Sequence, residues 1–178
     1  MTDAHADTRY LETFPAWLRS LGEDAGALAA VLSGEATEPV RRYVAGGLNY
    51  IFKSLDLIPD GVDDLGYLDD AFVLRVAAAL AVEEAPAAKG GALARLAEEA
   101  RAVRDFLGAD YARLETYVRN LKRGTARGRT VDDILGEEAI LRAFVQEVNA
   151  WASSYEAPTF TRDPKTLIKL KAFLSAKL

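Results

Sequence analysis

The chain has 178 residues, half of them apolar and 28% charged, with a formal net charge of −5. That length fits one domain with a substantial core, and the negative balance disfavours nonspecific binding to nucleic acid. There is no cysteine, and the one histidine is His5, which excludes disulfides, thiolate catalysis and cysteine-ligated metals and argues against histidine-based triads or metal centres.

The opening "MTDAHADTRY" lacks the basic-then-apolar pattern of a secretory signal, and residues 1–7 are expected to be mobile. Leu11, Phe14, Trp17, Leu18 and Leu21 then recur at helical spacing, with Pro15 expected to bend or split the helix. "EDAGALAAVLSG" reads as a separate short helix stopped by Gly34. Thr37 is placed to cap the next helix, with Pro39 near its first position, and Val40, Val44, Leu48, Ile51, Phe52 and Leu55 carry its face. Gly46 and Gly47 each cost about 1 kcal/mol relative to alanine inside a helix, so another helix is expected to approach closely there.

Beyond an aspartate-rich hinge, Leu68, Phe72, Val76 and Leu80 form one stripe, which Val73, Leu74 and Ala77 widen around the circumference. A helix apolar on all sides belongs at the centre of the fold. Its strongly apolar run, Ala71 to Val82, contains Arg75 and falls short of the roughly 20 residues that span a bilayer. No transmembrane segment is therefore expected, and a soluble, cytoplasmic protein is.

Leu93, Leu96, Ala97, Ala100, Val103 and Leu107 mark the following helix, and "GAD" opens another from Tyr111 to Leu121. "KRGTARGRT" reads as a loop. Thr130 with Asp133 makes a capping box for a helix from Val131 to about Ser153, and Asp163 with Pro164 starts the last one. Strand alternation is missing, so no β-sheet is expected. The pattern predicts an all-α fold: a single domain over 1–178, built as a helical bundle of about six to eight helices around a central helical hairpin at 43–83.

The hinge carries Asp56, Asp60, Asp63, Asp64, Asp69 and Asp70. Read as a calcium loop from Asp56, it puts Ile58 and Tyr67 where oxygen ligands belong, which argues against an EF-hand. A looser Mg or Ca site remains open if Asp56, Asp60, Asp69 and Asp70 converge across an antiparallel turn. The plainer reading is structural. Asp63 or Asp64 caps the following helix, Asp69 and Asp70 favour its N-terminal dipole, and Pro59, Gly61 and Gly66 shape the turn. Arg75 then needs an acidic partner, which a hinge aspartate would supply. No nucleophile motif, phosphate loop or cofactor fingerprint is present, so no catalytic residue is assigned.

The blocks "DLIPD", Asp56 to Asp60, and "GYLDD", Gly66 to Asp70, resemble the signature of the YkvA-like family, a bacterial helical domain-of-unknown-function family. The resemblance covers about Tyr43 to Leu80 and implies a helical hairpin. It departs from the family pattern at Ser54 and Asp63, where prolines stand, and at Gly61, where a bulky apolar residue stands. Some members are membrane-associated through an apolar hinge, and this hinge is more polar.

Two segments are basic. Arg119, Lys122, Arg123, Arg127 and Arg129 form a patch able to meet phosphate or an acidic partner, or simply to be solvated. It lacks interleaved aromatics, so no specific nucleic acid is expected. The last helix combines Leu167, Leu170, Phe173 and Leu174 with Lys165, Lys169, Lys171 and Lys177. Such a helix packs on its own domain or makes peripheral membrane contact. The sequence points to a non-enzymatic protein-interaction or scaffold module with a protein partner. The alternatives are metal-dependent activity or binding at the hinge aspartates, and peripheral membrane association through the C-terminal helix.

Overall fold

The computed structural model describes residues 4–53, 56–59, 62, 65–88 and 90–178, with side chains from residue 7 onward. These residues are all-α apart from one small hairpin. Eight α-helical segments follow in order, one of them only 6 residues long: α1 Ala4–Ser33, α2 Glu38–Tyr50, α3 Leu68–Glu84, α4 Gly91–Leu107, α5 Tyr111–Asn120, α6 Val131–Gly136, α7 Glu138–Ser154 and α8 Pro164–Lys177. None of them is long and apolar enough to cross a membrane.

As its composition requires, α3 is central. Every residue from Leu68 to Ala78 is buried, and α1, α2, α4 and α5 pack around it. Phe72 is fully buried where Phe14, Trp17 and Phe106 meet it edge to face, at 5.1, 5.9 and 6.1 Å between ring centroids. The close approach expected at the paired glycines is present. A Cβ on Gly47 would stand 3.1 Å from the Cβ of Ala77, and one on Gly46 would stand 3.4 Å from the backbone of Leu121. Gly22 serves the same purpose between α1 and α7, since a Cβ there would lie 2.9 Å from the Ala152 carbonyl oxygen.

Three expectations are corrected. The first two helices are one, because α1 runs through Pro15 and on to Ser33. Pro15 removes a single backbone donor, and Phe14, Trp17, Leu18 and Leu21, all buried on either side, outweigh that loss. The helix expected from Val131 to about Ser153 is interrupted at Glu137, which adopts an extended backbone (φ −128°, ψ 123°) between α6 and α7.

The third correction is the loop "KRGTARGRT", which folds into an antiparallel hairpin of β1 Thr125–Ala126 and β2 Arg129–Thr130, with Ala126 opposite Arg129. Arg127 (φ 49°) and Gly128 (φ 74°) both occupy the left-handed region. That is the requirement of the turn that matches strand twist in a two-residue hairpin. The capping box of Thr130 and Asp133 closes the strand's end, each side chain meeting the other's backbone N–H at 3.0 Å. At the start of α8 the Asp163 side chain accepts the Lys165 N–H at 2.8 Å.

Candidate functional site

The hinge joins α2 to α3. Tyr50, the last residue of α2, is buried and holds it from inside. Its hydroxyl oxygen accepts the Leu57 N–H at 2.7 Å and donates to Oδ2 of Asp69 at 2.5 Å. The same Asp69 oxygen accepts the Ile58 N–H at 3.3 Å. Residues from both signature blocks are thus tied through one hydroxyl and one carboxylate. Burial, reinforced by the charges of Asp69 and Asp70, pushes the Tyr50 hydroxyl far above the usual tyrosine range, which fixes it as a neutral donor.

The turn closes on its own backbone. Val62 N–H donates to the Pro59 carbonyl at 3.0 Å, and Gly66 N–H to the Val62 carbonyl at 2.9 Å. Pro59 is exposed and Gly66 buried. Tyr67 occupies the N-cap position of α3 in a left-handed conformation (φ 71°) without a side-chain capping bond. A bulky residue there is strained, and its ring is held by Tyr155 and Trp151 at 5.4 and 6.3 Å. The Tyr155 hydroxyl donates to the Leu18 carbonyl at 2.7 Å, so the segment after α7 is pinned onto α1. Burial, then the charge of Asp70, raises the Tyr155 hydroxyl as well.

The expected metal ligands separate in their settings. Asp69 and Asp70 are buried, at 0% and 2% exposure, and Asp56 is partly buried. Asp60, and the hinge positions Gly61, Asp63 and Asp64, lie outside the described residues. Among the described residues, no group of three or more histidine, aspartate or glutamate side chains is arranged to hold a metal ion.

The carboxylates that meet Arg75 lie on α1 and α4, where the sequence pointed to the hinge, while Asp69 does accept a turn N–H, that of Ile58. Arg75 is fully buried on α3 and points toward α1 and α4. Its Nη2 meets Asp24 at 3.2 Å and Glu99 at 2.8 Å, and its Nη1 donates to the Ala71 carbonyl at 3.0 Å. The guanidinium lies over the Trp17 ring, 4.0 Å from the centroid. Arg95 closes the cluster, reaching Asp24 at 2.5 Å and Glu99 at 3.2 Å, and Ser20 donates to Asp24 at 2.9 Å. Burial lowers the Arg75 pKa, against the pull of Glu99 and Asp24. The side-chain bond to Asp24 raises that of Arg95. The set is electrically balanced and its hydrogen bonds span three helices.

Asp24 and Glu99 were not singled out from sequence, although a signal existed. Asp24 lies on the same stripe as Trp17, Leu21 and Leu28, spaced seven, three and four residues away, so the apolar periodicity of α1 already buried it. An aspartate on that stripe requires a cation just as Arg75 requires an anion.

The basic patch is spread over separate partners. Arg119 approaches Glu115 at 3.5 Å and Glu83 at 3.8 Å and donates to the Tyr43 hydroxyl at 3.3 Å. Lys122 stands over the Tyr43 ring at 5.6 Å. Arg127 and Arg129 share Glu147, the latter at 2.7 Å, and Arg123 is exposed. On α8, Leu167, Leu170 and Leu174 are buried, so its apolar face is occupied by the protein's own core.

No protein-family profile, curated protein or solved structure matches the chain.

Proposed function

We propose that the chain is a YkvA-like helical protein that works as a non-enzymatic protein-interaction or scaffold module in the cytoplasm. The observation that carries this reading is the use made of Asp69. A carboxylate of the signature is completely buried and its Oδ2 is shared by the Tyr50 hydroxyl and the Ile58 amide. In this reading the motif's chemistry holds a turn against a helix rather than processing a substrate. The hairpin then presents the outer faces of the bundle to a protein partner.

Thermal melts in chelator, magnesium and calcium test the reading against a metal-dependent one. A ligand that binds only the folded state raises stability with its free concentration. The expected result is the same melting temperature in all three solutions, with Asp69→Asn lowering it equally in each. An ion-dependent rise in the wild type, lost in Asp69→Asn, replaces the scaffold reading with a metal site. Affinity capture from the native cell then identifies the partner, and no stoichiometric partner under any condition would sink the interaction role.

A further inference from the structure

On the outer side of α8, Ile168 is 65% exposed, and among the described residues it is the exposed large hydrophobic side chain. The buried face of that helix is Leu167, Leu170 and Leu174, so Ile168 contributes nothing to the core. Lys165 precedes it by one helical turn, Lys169 adjoins it, and Ala172 follows one turn on, all exposed. The result is an apolar knob between cations.

Elsewhere on the surface, α3 and α4 leave a groove of about 370 Å³. Its floor is Ala79, Val82, Ala94 and Ala97, partly exposed, and Glu83, Glu98 and Arg101 stand on its rim. Small side chains let a foreign helix approach closely, and two carboxylates against the one guanidinium of Arg101 leave the rim net negative, opposite to the surroundings of Ile168. Glu98 has Arg101 as a neighbour at 2.9 Å, and Glu83 has Arg119 at 3.8 Å. Both carboxylates are well exposed, at 66% and 70%, so these pairs exchange partners at little cost.

We propose that α8 of one copy docks through Ile168 into the α3–α4 groove of a second copy, with Lys165 and Lys169 facing Glu83 and Glu98. The proposal rests on the interaction-module reading and names the partner. Knob and groove are different surfaces of one chain, so each contact leaves a free knob and a free groove, and assembly proceeds head to tail.

Sedimentation velocity of the full chain from about 1 μM to about 1 mM, the range suited to a small contact, tests it. The weight-average mass is expected to rise with concentration and to fall as salt is added. Ile168→Asp removes the knob and Ala97→Arg blocks the groove. Each is expected to remain monomeric with an unchanged circular dichroism spectrum, and Ala94→Arg replaces Ala97→Arg if the latter fails to fold. Mixed together, the knobless and grooveless variants are expected to form a 1:1 dimer that grows no further, because one supplies the intact groove and the other the intact knob. A wild type that stays monomeric throughout, or a mixture that does not pair, overturns the proposal. A monomeric wild type that still captures a different protein overturns self-association alone, whereas one that captures nothing overturns the interaction reading with it.

Discussion

Arg75 and Asp69 lie on the same helix, and both are completely buried, yet the protein handles the two charges differently. Arg75 is met by full opposite charges from other helices, Asp24 on α1 and Glu99 on α4. Oδ2 of Asp69 accepts from two neutral donors, the Tyr50 hydroxyl and the Ile58 amide, one beside the hinge and one in it. The first arrangement joins elements distant in sequence, and the second shapes one local turn. A buried charge therefore does not announce a site by itself, because what surrounds it decides what it does.

Removing Asp24 should give the largest effect. Asp24→Ala leaves the Arg75 guanidinium half-paired in the core, for an expected loss of roughly 3–5 kcal/mol in denaturant unfolding. The combined Asp24→Leu and Arg75→Met variant should recover much of it, since no buried charge is then stranded. A loss for Asp24→Ala below about 1 kcal/mol would mean that Glu99 alone balances Arg75, and the contrast with Asp69 would weaken.

Tyr50→Phe addresses the other side of the contrast. It removes the donor to Asp69 and the acceptor of the Leu57 amide, for about 1–3 kcal/mol. The Leu57 amide should exchange with solvent much faster than in the wild type, while amides in the middle of α3 change only with global stability. Equal acceleration at both places would show that the hydroxyl supports the whole bundle and not the hinge.

Alkaline titration separates the two clusters without changing Asp24. The folded-state pKa of Tyr50 is raised, so its contribution is fully present below the unfolded value near pH 10 and is lost as pH rises toward the folded value. Stability should fall from about pH 10 upward, less steeply in Tyr50→Phe than in the wild type. Tyr10, Tyr111 and Tyr155 are raised by burial too, so part of the slope should persist in the variant. Identical slopes would remove Tyr50 from the account.

The two clusters also differ in how far the sequence disclosed them. Helical periodicity located α3, and its unbroken apolar circumference placed it at the centre. The local chemistry of Thr130 with Asp133, and of Asp163 with Pro164, marked helix starts that the structure contains. These features depend on neighbours a few residues away. The partner of Arg75 did not follow, because three-dimensional packing brings Asp24 across 51 residues and Glu99 across 24. Tyr50 at the hinge was missed for a smaller reason: its ring reads as core, and its hydroxyl acquires a role only once the chain turns back on it. Pro15 shows propensity overruled by packing, and Arg127-Gly128 shows a turn whose left-handed pair the apolar pattern does not reveal.

The hairpin arginines supply the exposed counterpart of Arg75 and the smallest expected effects. Both Arg127 and Arg129 bind Glu147, but they differ in setting. The Arg129 side chain is 19% exposed and lies 5.0 Å from the Phe144 centroid, whereas that of Arg127 is 60% exposed and lies over Phe52 at 4.7 Å. Burial works to raise the Glu147 carboxyl, yet the bonds from Arg129 and Arg127 bring it below its usual range. A depressed carboxyl contributes stability above its unfolded pKa, near 4.3, and loses it as pH falls through the folded value. Solvent screening keeps such a contribution within about 1 kcal/mol. Arg129→Ser should therefore cost up to about 1 kcal/mol at neutral pH, Arg127→Ser less, and exposed Arg123→Ser almost nothing. The Arg129 and Arg127 differences should shrink in high salt and as pH falls through the lowered Glu147 value. If the triple variant keeps its stability but loses salt-sensitive binding to an acidic partner, these arginines belong to an interface, and the bonds of Arg127 and Arg129 to Glu147 only park those two between encounters.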